Sequence, residues 1–257
     1  MRIITYNVQG LRGFPAPVAQ PVIGDPEGLQ TARIFEQIFR ELEPDILALQ
    51  EGVSIRQMQT IAANLGLHLA TFPSPVRWPG HLLSKFPIHE SRIFSHFTPD
   101  AETQPLNRVA GAACLQLKSE VWLWLVLIHL NPKHREVRRQ EARILMEKIS
   151  GLLAVDEHVI VLGDFNSSTE EELHIWLKQM GFINTVEFLV GAVPPTLEIA
   201  DKPKAIDHIY VSASLAGFLS RAGVIRSEGF CCYTLAEPEA WVYSDHLPVF
   251  VELNFAE

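Results

Sequence analysis

The chain carries only three cysteines in 257 residues, Cys114, Cys231 and Cys232, and two of them are adjacent. Neighbouring cysteines are poorly placed for an ordinary disulfide and an odd count excludes a fully paired framework, so the thiols read as reduced and structural. Long apolar runs are missing too. The longest, VWLWLVLI at 121–128, falls far short of the roughly 18 residues that cross a bilayer, and reads as a buried strand. Positive charge is in deficit: 21 Lys and Arg against 30 Asp and Glu leave a formal net charge of −9, which gives no long-range attraction to a polyanion such as duplex DNA. The one local excess, Lys133, Arg135, Arg138, Arg139, Arg143 and Lys148 against three glutamates, suits a solvated helix face. The opening MRIITYNVQG enters strand-like sequence without a basic and apolar leader, so a cytoplasmic protein with no stable membrane insertion is expected. No linker, low-complexity tract or repeat period interrupts the chain, which is read as one domain over 1–257 with no obligate protein partner evident.

Short apolar strands alternate with helices. RIITYNV is β-branched and ends at Asn7, and residues 9–28 hold too many glycines and prolines for regular structure. Helical spacing over 30–42 stops at Pro44, and the strand DILALQ then delivers Glu51 to its end. Ser54 and Gln57 predict a capping box for a helix running to Gly66. HLLSKFPI and the segments near 91–97 and 109–128 read as strands, followed by a helix near 134–150 and the strand HVIVLG. Ser168 with Glu171 opens a further helix, and IDHIYVS and LPVFVELNF are the last strands. The pattern predicts an α/β fold of two sheets with helices outside.

These strands end in acids and amides: Asn7, Glu51, Asp164 with Asn166, Asp207 and Asp245. A strand run such as VIVLGDFN has no structural need for a carboxylate and a carboxamide at its end, and sites in open α/β sheets lie at strand ends. Converging carboxylates repel one another unless a cation sits among them, and hard oxygen donors suit Mg²⁺ or Mn²⁺. His129, His208 and His246 stand beside the set. Strand alternation turns His208 away if Asp207 faces the site, so His208 is read as structural.

TYNV at 5–8, LQE at 49–51, LSKFPI at 83–88, HL at 129–130, GDFN at 163–166, IDHIYV at 206–211 and SDHLPV at 244–249 resemble, in order and spacing, the blocks of the endonuclease/exonuclease/phosphatase superfamily. The resemblance spans nearly the whole chain. It implies a four-layer α/β sandwich, two packed mixed β-sheets flanked by helices, and hydrolysis of phosphate esters with a divalent metal, Mg²⁺ or Mn²⁺. By position, Glu51 resembles the main metal carboxylate, with Asn7 and Asp245 beside the ion. Asp164 matches the group that orients or deprotonates water, Asn166 a donor to a phosphate oxygen, and His246 the phosphate-contacting histidine held by Asp207. His129 matches a second phosphate-side histidine, and Arg108 is a candidate substrate contact. Arg139 and Gln140 are expected to pack and pair on their helix, and Trp78 and Trp241 to be partly buried loop aromatics.

The implied activity is that of a phosphodiesterase acting on a small molecule, a lipid headgroup or a nucleic acid. A DNA or RNA nuclease and a non-catalytic binding protein of the same fold are the alternatives. The expected substrate loops, 9–28, 98–107, 187–204 and 231–243, hold Lys202 and Lys204 among nine acids, which suits a duplex backbone poorly.

Overall fold

A computed structural model describes residues 1–14, 29–102, 104–118, 121–197, 203–227, 229–230 and 242–255. The strands are β1 (Arg2–Asn7), β2 (Ile46–Gln50), β3 (His68–Phe72), β4 (Gly80–Ser84), β5 (Ile88–Ile93), β6 (Ala110–Lys118), β7 (Val121–His129), β8 (Val159–Asp164), β9 (Ile183–Asn184), β10 (Asp207–Val211), β11 (Leu219–Val224) and β12 (Val249–Leu253). The helices are α1 (Leu29–Glu41), α2 (Ile55–Leu65), α3 (Arg135–Leu153), α4 (Glu172–Gln179) and α5 (Thr185–Val190).

Two mixed six-stranded sheets result, in the orders β11-β12-β1-β2-β4-β3 and β5-β6-β7-β8-β10-β9. Both share one pairing pattern, a central parallel pair (β1 with β2, β7 with β8) flanked by antiparallel neighbours. Side-chain alternation sorts each strand into two layers. Ile3, Ile46, Ala48, Leu125, Leu127, Ile160, Leu162, Ile209 and Val251 fill the space between the sheets. The alternate residues of each strand face outward. Ile4, Tyr6, Leu47 and Leu49 pack on Phe35, Phe39, Met58 and Ile61 of α1 and α2, while Val159, Val161 and Tyr210 join Ala142, Leu145, Leu173 and Leu177 of α3 and α4. The result is the expected four-layer sandwich.

Several local expectations hold. Ser54 and Gln57 form the capping box of α2, which ends on left-handed Gly66. Others need correction. HLLSKFPI is not one strand: β4 stops at Ser84, and after Lys85-Phe86-Pro87 the chain enters β5 in the other sheet. Proline lacks the N–H a continuing ladder needs. Ser168 does not cap a helix with Glu171, because α4 starts only at Glu172 and the Glu171 carboxylate is held by Arg138. The segment 187–204 is not all loop, since α5 occupies its start and Leu197 bridges Lys204. Most of 9–28, and Trp241 with most of 231–243, lie outside the described residues. The basic stretch pairs as a helix face should, Arg135 and Arg139 with Glu172 and Arg139 also with Glu136. Among the described residues no helix is long and apolar enough to cross a membrane.

His208 points outward between sheet and helix, as alternation demands, into a buried cluster with His174, Phe165 and Tyr210. His174 Nδ1 meets the Tyr210 hydroxyl at 2.8 Å and Nε2 the Ser167 hydroxyl at 3.0 Å. Burial, with His208 nearby, pushes the His174 pKa down to about 2. A histidine whose folded pKa lies below its unfolded value of about 6.5 contributes stability that is full above that pH and is lost as the pH falls through it. By this linkage urea unfolding should show a loss of about 2 kcal/mol from this site between pH 6.5 and 5. His174→Gln should shrink that pH dependence, and an unchanged pH slope would contradict the neutral buried state.

Gly163 has φ +137°, and a Cβ there would stand 1.9 Å from the Ile128 carbonyl oxygen of the parallel neighbour. Only glycine lets β8 come this close at the residue preceding Asp164. Gly163→Ala should cost roughly 2–6 kcal/mol, the sum of overpacking and backbone strain, measurable as a lowered urea midpoint at unchanged m-value.

Candidate active site

The residues that fill the space between the sheets are apolar until the strand ends, where the same face turns polar. Asn7 continues the inward series Ile3–Thr5 on β1, His129 the series Leu125–Leu127 on β7, and Asp164 the series Ile160–Leu162 on β8. Register does the rest. Asp164 lies opposite His129 on one side and Asp207 on the other, so three candidate site residues stand in a row across the sheet. Glu51 breaks the pattern: it follows β2 with φ +52°, a left-handed turn that carries its carboxylate to the mouth of the cleft.

Contacts close across the cleft. Asn7 Nδ2 donates to Asp164 Oδ2 at 3.0 Å, and the Asn166 backbone N–H to Asp164 Oδ1 at 2.9 Å. His129 Nε2 lies 3.5 Å from Asp164 Oδ2 and 3.9 Å from Glu51 Oε1, which also faces Arg108 at 3.5 Å. His246 Nδ1 donates to Asp207 Oδ2 at 2.8 Å, leaving Nε2 toward the cleft, 3.9 Å from Asp164 Oδ2. Asp245 is half-buried, with the Ser244 hydroxyl 3.3 Å from its Oδ1. Asn166 has φ +51° and spends one amide N–H on the Leu130 carbonyl, and an amide carries two. All nine residues expected from the sequence therefore gather at one end of the cleft. Trp78 is half-buried beside Gly10, whose N–H bonds the Glu51 carbonyl.

Electrostatics divide the two histidines. Burial opposes charge on His246, but Asp207, Asp164 and Asp245 outweigh it and hold its pKa up, to about 10. Burial dominates at His129 and lowers its pKa to about 4. The surrounding acids thus favour the charged form of His246, whereas burial favours the neutral form of His129, which offers a hydrogen bond rather than charge. Burial raises Glu51 to about 7 against the pull of Arg108 and His246, and burial with Asp207 alongside also raises Asp164.

Two neighbouring carboxylates thus lack the positive charge they need, and Asp207 Oδ1 is buried with no hydrogen-bond partner among the described residues. That deficit, with hard oxygens from Glu51, Asp164 and Asp245, fits a divalent cation. Among the described residues Asp164, Asp207 and His246 form a compact trio whose ligand-type atoms lie within 4.8 Å of one another. In this trio His246 Nδ1 and Asp207 Oδ2 already bond each other, so the trio reads as a hydrogen-bonded relay, and Glu51 with its loosely held oxygen is the freer ligand.

Thr196 escaped sequence reasoning. It is fully buried; its hydroxyl donates to Asp207 Oδ2 at 2.6 Å and accepts the Ile206 and Asp207 backbone N–H groups at 3.1 Å, and its carbonyl takes the Leu247 N–H. The proline-flanked segment VPPT has no periodicity that would have pointed to it.

A sequence profile of the Endonuclease/Exonuclease/phosphatase family matches residues 4–246. No functionally curated protein matches the chain by sequence. Solved structures do match in fold. A mannosyl-6-phosphatase of Bacteroides thetaiotaomicron superposes with TM-score 0.73 at 20% identity, covering 99% of this chain and 100% of that one. A 3′ phosphatase of Neisseria bound to a product DNA hairpin gives 0.68 at 18%, over 99% and 100%. A functionally unknown conserved protein of Enterococcus faecalis gives 0.73 at 16%, over the full length of both.

Thr196→Val keeps the shape but strands two buried N–H donors and frees Asp207. It should lower stability by roughly 1–3 kcal/mol in urea unfolding, whereas Thr196→Ser should stay near wild type.

Proposed function

Since the chain belongs to the endonuclease/exonuclease/phosphatase family, whose members hydrolyse phosphate esters, we propose that it is a Mg²⁺- or Mn²⁺-dependent phosphoesterase, acting on phosphodiesters. The observation that carries this reading is the convergence of Asp164, Asp207, His246, His129 and Glu51 at the mouth of one cleft.

Glu51, with Asn7 and Asp245 beside it, would hold the cation, which when bound supplies Lewis-acid charge to a phosphoryl oxygen. Asn7 Oδ1 already accepts the Gln9 N–H at 3.2 Å, so its part is shared with the loop it anchors. Asp164, held in place by the Asn7 amide and the Asn166 backbone N–H, takes a proton from the attacking water. His246 places an imidazolium Nε2 toward the non-bridging oxygens, and Asp207, fixed by Thr196, holds its other nitrogen. Asn166 and neutral His129 add uncharged donors, and Arg108 adds a second cation at the rim. Positioning and positive charge around the transferring group are what phosphoryl transfer needs most.

A groove of about 730 Å³ opens beside Asn166, between Lys133, Ser168–Glu170 and Lys204. Its described lining has no aromatic ring on which a base could stack and more hydroxyl and acidic groups than free cations, which favours a small polar alcohol over a nucleic acid. A nuclease remains the second reading, since the Neisseria 3′ phosphatase of like fold was solved bound to a product DNA hairpin.

Hydrolysis of bis-p-nitrophenyl phosphate, p-nitrophenyl phosphate and single- and double-stranded oligonucleotides tests the proposal. EDTA should abolish turnover, Mg²⁺ or Mn²⁺ should restore it, and Asp164→Asn and His246→Gln should each lower kcat about 10²–10⁴-fold. Turnover unaffected by EDTA or by both substitutions would overturn it, and a steep salt dependence on oligonucleotides would shift it to the nuclease.

A further inference from the structure

Glu141 is a carboxylate where an apolar residue is expected. It lies on the buried stripe of α3 with Ala142, Leu145, Ile149 and Leu152, and is 1% exposed. Its two oxygens are used separately. Oε1 accepts the Asn107 backbone N–H at 2.8 Å, and Oε2 the Asn131 backbone N–H at 2.9 Å. Asn107 precedes Arg108, and Asn131 follows His129 by two residues, so one helical side chain grips the two loops that bring these groups to the cleft. The loops also touch each other: Asn131 Nδ2 lies 3.5 Å from Asn107 Oδ1, and the His129 N–H reaches the Val109 carbonyl at 2.8 Å.

One turn earlier on the same helix, Arg138 donates to the Asn131 carbonyl at 3.0 Å while forking onto Glu171 at 2.8 and 2.6 Å. The 129–134 loop in turn receives the Asn166 side chain on the Leu130 carbonyl. α3 therefore fastens three strand-end loops at once, with Glu141 at the point where two of them meet. Burial raises the Glu141 pKa while its two N–H bonds and the nearby Arg138 and Arg108 favour the ionised form.

We infer that Glu141 is a positioning residue for hydrolysis: by holding Asn107 and Asn131 together it sets where Arg108 and His129 stand against Glu51 and Asp164. A plain helix–core contact would need no acceptor here and would not join two loops. The inference rests on the phosphoesterase reading, so the test carries one readout that does not depend on turnover.

Glu141→Gln keeps the volume but turns an N–H toward one of the two backbone donors, and Glu141→Ala removes both acceptors. Amide hydrogen exchange on the folded protein should speed up at least tenfold at Asn107 or Asn131 in Glu141→Gln and at both in Glu141→Ala, with Glu147→Ala on the exposed face of α3 as an unaffected control. With Mg²⁺ or Mn²⁺ and bis-p-nitrophenyl phosphate, kcat should fall at least tenfold in Glu141→Gln. In an Arg108→Ala background the same change should cost less than in the wild type, because one of the two groups it positions is gone. Unchanged exchange at both amides would remove the clamp. Faster exchange with kcat within twofold of wild type, or equal losses with and without Arg108, would leave a merely structural residue and overturn the inference. If Glu141→Ala fails to fold, Glu141→Gln alone decides both readouts. An inactive wild type would instead count against the phosphoesterase reading, and the exchange data would still decide whether the clamp exists.

Discussion

The burial of Asp164 among other acids is the constraint on which the rest of the site depends. A carboxylate with Asp207 beside it and Glu51 near it, walled by apolar strands, is costly to keep ionised. Each surrounding feature reduces that cost in its own way. Asn7 and the Asn166 backbone donate to it, His246 brings a full charge toward it, and Asp207 is itself neutralised in part by the Thr196 hydroxyl and the imidazolium. What is left over is a deficit of positive charge at the mouth of the cleft, of the kind a divalent cation would make up.

The sheets achieve this convergence with little special geometry. Period-two alternation that fills the inter-sheet space with Ile160 and Leu162 presents Asp164 two residues later, and register aligns His129 and Asp207 with it. Departures from regular backbone are local. Gly163 admits a close strand approach, and left-handed Glu51 and Asn166 redirect side chains that alternation alone would misplace. Such positions carry strain that packing elsewhere has to offset.

Much of this was legible from sequence because it lies in strands. Asn7, Glu51, Asp164, Asp207 and His246 each end or border an apolar run, and the outward turn of His208 followed from parity alone. Arg108 could not be resolved, since an arginine before a strand looks the same whether it faces solvent or Glu51. Thr196 and Glu141 were invisible for opposite reasons. Thr196 sits in a proline-flanked stretch with no period to read, and Glu141 sits in a helix so charged that one more acid carries no signal. Both act through backbone N–H groups, whose positions no side-chain pattern encodes. The break between β4 and β5 was missed because Pro87 interrupts a run that is apolar on both sides.

The order of strands in space also fixes an order in time. All of the second sheet, β5 to β10, lies within residues 88–211, whereas the first sheet begins with β1 and is completed only when β12 returns to pair with it, Arg2 opposite Glu252. Asp245 and His246 ride on the approach to that last strand. During vectorial synthesis the chain can therefore build one entire sheet, with Asp164 and Asp207 already in register, before the imidazolium that balances them has left the ribosome. The cluster at the cleft is therefore complete only once the closing strand has docked, the longest-range pairing in the fold.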